Sequence, residues 1–337
     1  MKILHITNGD AAANLIKESN LKGDVLPWRD PMHHGPFRGK SNLTSTSQLR
    51  AEYLSGFGLN AEDVVRDFQL RDAHILAADK YEEIILWFEH DLLDQLQILQ
   101  ILDQLHQIHI DPSKLYMICI DKHKEISHFR GLGQLNIDQI SNLSSTKSNI
   151  TNMDLDIASK GWKAFTNNQP NELLNFSKSD HASFPFLKAA LFRHFEEYPN
   201  AQTGLTRTEY QILNLVREGI NTPVDIFRQN MELEECLYIG DWYSYILIEK
   251  LCSGETPLLT TQSDEAFWFA PKYETGSTPF EEQKLLLTEY GNQVLEGAAT
   301  AFDFLDRDEW LGGVQLKSGR PLWTWDQHNQ TFILKNV

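Results

Sequence analysis

An α/β architecture is predicted for residues 1–145, and three observations carry it. Short strand-length runs recur at residues 2–7, 25–28, 83–88 and 115–120, each relieved by a helix-forming stretch or a loop. The run at 83–88 is apolar at successive positions after Glu83, as a strand covered on both faces of a parallel sheet must be. Residues 91–102 follow it directly with Leu and Ile at helical spacing, so strand, helix and strand arrive in the order that gives right-handed crossovers. Together these define a Rossmann-like, mostly parallel sheet.

The elements follow in order. Residues 10–16 carry Ala11, Ala12, Ala13, Leu15 and Ile16, strong helix formers after an Asp10 placed to cap them. Residues 37–47 are rich in Gly, Ser and Thr and predict a loop, followed by helices over 48–57 and 61–78. Residues 146–200 are helical in pattern, with Thr151 to Asp154 resembling a capped start, and are assigned as a connector. From 201 to 337 the order changes: helices over 206–217, 222–229 and 241–251, β-like runs at 257–260 and 266–270, then Leu285, Leu286 and Leu287 before a helix at 289–295. Three helices and a β-hairpin are the order of a winged helix, so the last part is predicted as a winged-helix-like domain. Residues 322–325 and 331–334 flank a turn and close the chain as a hairpin.

Composition excludes several functional classes. With 30 Lys plus Arg against 47 Asp plus Glu the formal charge is −17, and the basic residues are scattered singly. Nonspecific nucleic-acid affinity comes from neutralised phosphates, so nucleic acid is a disfavoured partner. Between 201 and 297 six basic residues face sixteen acidic ones, and the third helix there carries Asp241 and Glu249 against Lys250. Entry into a major groove needs the opposite balance, leaving a protein partner as the expectation for this domain. No apolar run is long enough to span a bilayer and no signal peptide is recognised, so a cytoplasmic location without membrane is expected. Cys119, Cys236 and Cys252 lack metal-site spacing and predict neither a disulfide framework nor a structural zinc site.

Four segments carry chemistry, and in a parallel sheet the strand ends would deliver them to one edge. Asn8, Gly9 and Asp10 stand at a strand-to-helix turn whose free amides suit an anion, or Asp10 is a plain helix cap. Trp28, Arg29, Asp30, His33 and His34 crowd one proline-bounded loop. There Arg29 could fork onto a phosphate or carboxylate, Asp30 could orient an imidazole, and His33 could shuttle a proton. The alternative for this loop is a rigid turn with an Arg–Asp ion pair and a stacked Trp. Glu89, His90 and Asp91 follow the central strand, with Asp94 one turn beyond Asp91 on the same helix face. Asp91 is expected to cap that helix while Glu89 and His90 point into a crevice. No ligand spacing typical of a metal centre occurs, so no metal is assigned and the cofactor stays undefined. Arg130, beside Gly131 and Gly133, offers a second anion contact or an ordinary turn.

The strings Leu4-His5-Ile6-Thr7-Asn8-Gly9-Asp10, Trp28-Arg29-Asp30 with His33 and Gly35-Pro36, Trp87-Phe88-Glu89-His90-Asp91 with Asp94-Gln95-Leu96, and Phe129-Arg130-Gly131-Leu132-Gly133 resemble those of an uncharacterised bacterial family, domain of unknown function 1835. Gly204 to Glu209, Gly240-Asp241-Trp242 and Trp310 to Val314 extend the resemblance over nearly the whole chain. His34 departs from that pattern, where an acidic residue is common. The resemblance implies no established activity. The residues themselves lead to an expected hydrolase or transferase acting on a phosphorylated or nucleotide-like small molecule. Asp30, His33, Glu89 and His90 would act as acid–base groups, and Asn8, Gly9, Asp10, Trp28, Arg29, Asp91 and Arg130 would hold the ligand. A ligand sensor or scaffold is the alternative, and a transcription regulator the third reading.

Overall fold

The computed structural model describes residues 2–39, 41–269 and 278–336. The chain divides into two compact units: Met1–Gly56, Asn60–Leu191 and Gly312–Val314 form the first, and Phe57–Leu59, Phe192–Leu311 and Gln315–Val337 the second. Residues 146–191, assigned from sequence to a connector, fall within the first unit.

The first unit is a mixed α/β structure around a five-stranded, mostly parallel sheet. Its strands are β1 (Ile3–Thr7), β2 (Asp24–Pro27), β3 (Glu83–Glu89), β4 (Leu115–Ile120) and β5 (Ser148–Asn149), in the spatial order β2-β1-β3-β4-β5. The first four run parallel, with His5 level with Val25 and Ile85, and Trp87 level with Ile118. The two-residue β5, which the sequence pattern does not announce, adds an antiparallel edge. Helix α1 (Asp10–Glu18) and α5 (Ile137–Leu143) are the helices of one apolar cluster, where Ala12, Ile16 and Ile140 meet Ile85, Trp87 and Ile118.

Helix α4 (Leu92–Gln107) is buried nearly all round, and α6 (Asn152–Phe165) packs on it, with α7 (Pro170–Ser177) on α6. A helix with no solvent face must give each polar side chain a partner. The glutamines do this: Gln95 Nε2 donates to the carbonyl of Glu89 at 2.8 Å, Gln97 Nε2 to those of Trp28 and Asp30 at 2.9 and 3.1 Å, and Gln100 Oε1 accepts from Trp28 Nε1 at 3.0 Å. They clip the loops after β2 and β3 in place.

Helix α2 (Leu43–Ser55) begins five residues before the helix expected at 48. The Ser/Thr-rich start reads as loop, yet Asn42 caps it by accepting from Ser45 N at 2.9 Å, and Thr46, Ser47 and Arg50 face inward. Helix α3 (Ala61–Leu76) packs beside it.

The chain passes from the first unit to the second within α8 (Leu187–Phe195). The second unit contains α9 (Arg207–Arg217), α10 (Pro223–Glu232), α11 (Asp241–Leu251), β6 (Leu259–Thr261), β7 (Leu285–Leu287) and α12 (Glu289–Leu295). Thr206 and Glu209 cap α9 reciprocally. The strand pair differs from expectation: residues 266–269 are not a strand, Ala270 lies outside the described residues, and β7 is the antiparallel partner of β6. Three leucines in a row carry no period-2 signal, which is why their pairing was not visible. The terminal hairpin forms as expected from β8 (Leu322–Asp326) and β9 (Thr331–Lys335). No helix among the described residues is long and apolar enough to cross a membrane.

Candidate functional site

Strands β1 and β3 are neighbours, but the helix after β1 leads outward to β2 and the helix after β3 leads the other way to β4. That reversal leaves the carboxyl ends of β1 and β3 uncovered by a crossover, the position where open α/β sheets take ligands. Asn8 stands at the end of β1 and Glu89 is the last residue of β3. Asn8 Nδ2 donates to Glu89 Oε1 at 3.2 Å and to Asp94 Oδ1 at 2.9 Å, although more than eighty residues separate them. Asp91 caps α4 as expected, accepting from Asp94 N at 2.9 Å, and Asp94 turns back to accept from Glu89 N at 2.5 Å. Leu132 N donates to Glu89 Oε1 at 2.5 Å. The chain passes so close there that a Cβ on Gly131 would lie 2.6 Å from Glu89 Oε2.

Three carboxyls are thus nearly sealed from water together: Asp94 is 0%, Glu89 4% and Asp91 6% exposed. Burial pushes Glu89 up to about 8, with the charge of Asp91 adding to it, while the Leu132 amide and Asn8 pull partly back. Asp91 is pushed up to about 6 by burial, against the opposing amides of Asp94 and Leu93. Asp94 lies well above the ordinary range because of burial and the charges of Asp91 and Glu89. Near neutral pH the cluster therefore holds protons that exposed carboxyls would have released. His90, half-buried with its ring edge-on to Phe186 at 6.0 Å, is pushed down by burial, against the raising effect of Asp121 and the Ile120 backbone.

Two chemistries are open to such a group. A carboxyl with its pKa near the working pH is a general acid or base. Carboxylate oxygens of Glu89, Asp91 and Asp94 also lie within 4.8 Å of one another, a hard-oxygen donor set suited to one divalent cation, which would displace the shared protons. The sequence pattern brings the Asn8 segment and the Glu89–Asp94 segment to one sheet edge, but does not give the Asn8 bonds to Glu89 and Asp94.

The remaining candidates are not brought into this cluster. Asp10 does not cap α1. Gly9 occupies the cap position and Asp10 the first turn, where its charge still favours the helix. Its carboxylate is forked by Arg29, Nε to Oδ2 at 2.9 Å and Nη2 to Oδ1 at 2.7 Å, and Arg29 Nη1 is paired with Asp67. Arg29 is thereby committed to two carboxylates rather than held ready for an anion. Trp28 is fully buried, with the Arg71 guanidinium stacked 4.3 Å from its ring centre. Asp30 is 1% exposed and accepts from Nε and Nη2 of Arg50 through Oδ1. His33 and His34 are buried, and His34 Nδ1 lies 3.0 Å from the Tyr53 hydroxyl. The loop is thus the rigid turn with a stacked Trp and an Arg–Asp pair, the arginine being Arg50 and not Arg29. Asp10, Asp30 and His90, expected at one rim, are each held by a different partner: Arg29, Arg50 and Phe186. Gly9 lies beside the cluster with nothing within 4 Å of where a Cβ would project. Arg130 immediately precedes the Gly131–Leu132 contact with Glu89, its own N–H donating to Gln134 Oε1.

No family model matches the chain, and no curated protein matches it.

Proposed function

We propose that the first unit is an enzyme of hydrolase or transferase type that binds a phosphorylated or nucleotide-like small molecule at the carboxyl edge of its sheet. The observation that carries this reading is the Asn8–Glu89–Asp91–Asp94 cluster at the strand-order reversal. A protein gains no stability from three buried carboxyls facing one another, and such costly groups concentrate where chemistry uses them. Glu89 is the acid–base group, Asn8 orients it, and the open backbone at Gly9 and the first amides of α1 receive the anion. His90, uncharged at neutral pH, is a second proton carrier. Asp30 and His33 leave the catalytic set and become scaffold. A divalent cation held by Glu89, Asp91 and Asp94 is the second reading, favoured by their mutual spacing.

In the second unit, the order α9, α10, α11, then paired β6 and β7, then α12, supports a winged-helix-like module. Its acidic α11 supports protein rather than DNA as the partner, which a duplex-binding assay at low and at physiological salt checks by showing no retardation at either. Cys119 and Cys252, half-buried thiols outside any disulfide, are in keeping with a cytoplasmic location. We propose kinship with domain of unknown function 1835 on the strings quoted above.

The test is protein purified without added ligand and analysed by native mass spectrometry. Thermal-shift and turnover assays with adenosine monophosphate and ribose 5-phosphate then follow, each with and without Mg²⁺ or Mn²⁺. Wild type should be stabilised and release product, Asn8→Ala should bind more weakly, and Glu89→Gln should bind without turnover. Normal turnover by Glu89→Gln would sink the reading. Binding with every ligand returned unchanged would make the protein a sensor.

A further inference from the structure

The second unit contains a pocket of about 400 Å³ that plays no part in the chemistry above. It opens where α9 begins and is walled by Tyr198, Leu205, Tyr210 and Trp325, with Gln211 also lining it. Tyr198, Leu205 and Trp325 are buried, whereas Tyr210 is 46% exposed, an aromatic face at a pocket mouth. The charged groups at the rim are already matched. Arg207 Nη1 donates to Glu196 Oε2 at 2.8 Å, Arg207 Nη2 to Glu235 Oε2 at 2.8 Å, and Gln327 Nε2 to the other oxygen of Glu196 at 3.2 Å. Among the described residues that line this pocket Arg207 is the cation, and it is taken up by Glu196 and Glu235 rather than left over for a phosphate.

One polar atom is left over. The side-chain oxygen of Gln211, a residue only 8% exposed, is shut off from water and accepts no hydrogen bond from any described residue. A buried amide oxygen in that state carries an uncompensated desolvation cost, which a donor brought into the pocket and a small turn of the side chain would relieve. A second pocket of about 330 Å³ shares Asn200, Trp325 and Gln327 with the first and continues past Asp326 and His328, so an occupant has room for a polar extension.

We infer that this double pocket binds an uncharged nucleoside-like molecule. Its flat heterocycle lies against Tyr210 and Trp325, one ring or exocyclic N–H donates to Gln211, and its polar substituent occupies the adjoining space. Aromatic walls select a flat ring, the unmatched acceptor selects an N–H, and the neutralised rim selects against a phosphate.

The test is saturation-transfer NMR with adenosine as the probe and toluene as a ring lacking any donor. Tyr210→Ala removes an exposed side chain, and Gln211→Leu keeps the volume while deleting the unmatched oxygen, so both variants should fold. Saturable binding of adenosine is expected, weakened about tenfold or more by either variant, with toluene binding unchanged or improved in Gln211→Leu. The inference is overturned if adenosine shows no saturable binding, if both variants bind it as wild type does, or if toluene competes as well as adenosine in the wild type. Asn8→Ala, which weakens binding at the carboxylate cluster, leaves this adenosine binding unchanged, and that separates the result from any outcome at the cluster.

Discussion

Arg50 donates from both Nε and Nη2 to one oxygen of Asp30, at 2.9 and 2.7 Å, and the two side chains are 0% and 1% exposed. Nη1 of the same guanidinium reaches the carbonyl of His34 at 2.7 Å, so one side chain ties down both ends of the loop. The close fit extends to Gly35, whose φ of +86° suits glycine and whose Cβ, if present, would collide with that guanidinium. Breaking a buried pair from one side leaves an uncompensated charge, whereas replacing both partners by apolar groups does not. Arg50→Met should therefore cost roughly 3–5 kcal/mol in urea unfolding, and the double variant Asp30→Leu, Arg50→Met distinctly less. Equal losses from single and double variants would contradict the pairing. An Asp30→Asn variant of full stability but abolished turnover would return Asp30 to the catalytic set.

Gly131 makes a different kind of contact, a steric one with the group that carries the proposed chemistry. A methyl at that position must displace the Glu89 carboxyl, which is itself held by Asn8 and Leu132. Gly131→Ala should destabilise the first unit by roughly 1–3 kcal/mol, as overpacking of a filled site does. Turnover should fall by a larger factor than ligand affinity, since the displaced group is the proposed acid–base residue. Gly219→Ala, at a positive-φ glycine with open space around it, serves as the comparison. If it impairs turnover as much as Gly131→Ala, the effect is not local to Glu89.

The residues of this loop and cluster show how far sequence carries the argument. The central strand was legible because burial on both faces removes polar residues from it, and the Asp91 cap because Asp at a strand-to-helix junction has a local job. Arg29 and Asp30 were grouped because they are adjacent, yet adjacent residues in an extended segment point to opposite sides. Arg29 turns out to Asp10 and Asp67, and Asp30 turns in to Arg50, twenty residues on in a helix whose Ser/Thr-rich start disguised it. Asn8 joins Glu89 and Asp94 only because β1 lies beside β3, a strand order that no local pattern states. Contacts fixed by neighbouring residues could be read. Topology could be read only as far as a shared edge, without the strand order that pairs Asn8 with Glu89.

The second unit has a buried charge cluster of the opposite kind. Glu209 is 0% exposed and is met by Lys250 Nζ at 2.8 Å and Arg307 Nη2 at 2.8 Å. Burial alone would raise its pKa, but the charges of Arg307 and Lys250 outweigh burial and hold it well below the usual carboxylate range. A depressed folded-state value contributes stability above the unfolded pKa near 4.5 and loses it as the pH falls through the lower folded value. The second unit should loosen first in acid, seen as lower protection of the α9 and α11 amides, relative to their intrinsic exchange rates, at pH 3 than at pH 6. Glu209→Gln should cost roughly 1–3 kcal/mol at pH 7, because Lys250 and Arg307 then share Glu309 alone, at 2.9 and 2.6 Å. Uniform exchange loss across both units in acid would oppose this.

The carboxyl cluster of the first unit runs the other way. Its folded-state values are raised, with Asp91 near 6 and Glu89 near 8, so between pH 4 and 8 the folded chain binds more protons than the unfolded one. The cost of ionising Asp91, Glu89 and Asp94 in the folded chain is absent below the ordinary carboxylate range, so stability is highest there and declines as the pH rises through those values. For Glu89, raised from 4.5 to about 8, the decline reaches up to roughly 5 kcal/mol by mildly alkaline pH. Glu89→Gln keeps the shape and removes the titration, so its stability should be nearly flat where the wild type slopes. The two should match near pH 5, and the variant should be the more stable above pH 8. Urea midpoints at pH 5, 7 and 8.5, followed by exchange protection of β3 and α4, measure this. Saturating Mg²⁺ or Mn²⁺ at pH 8.5 should restore the wild type and not the variant if the three carboxylates take a cation, and should change neither if they share protons alone. Parallel decline of wild type and Glu89→Gln would show that the slope arises elsewhere.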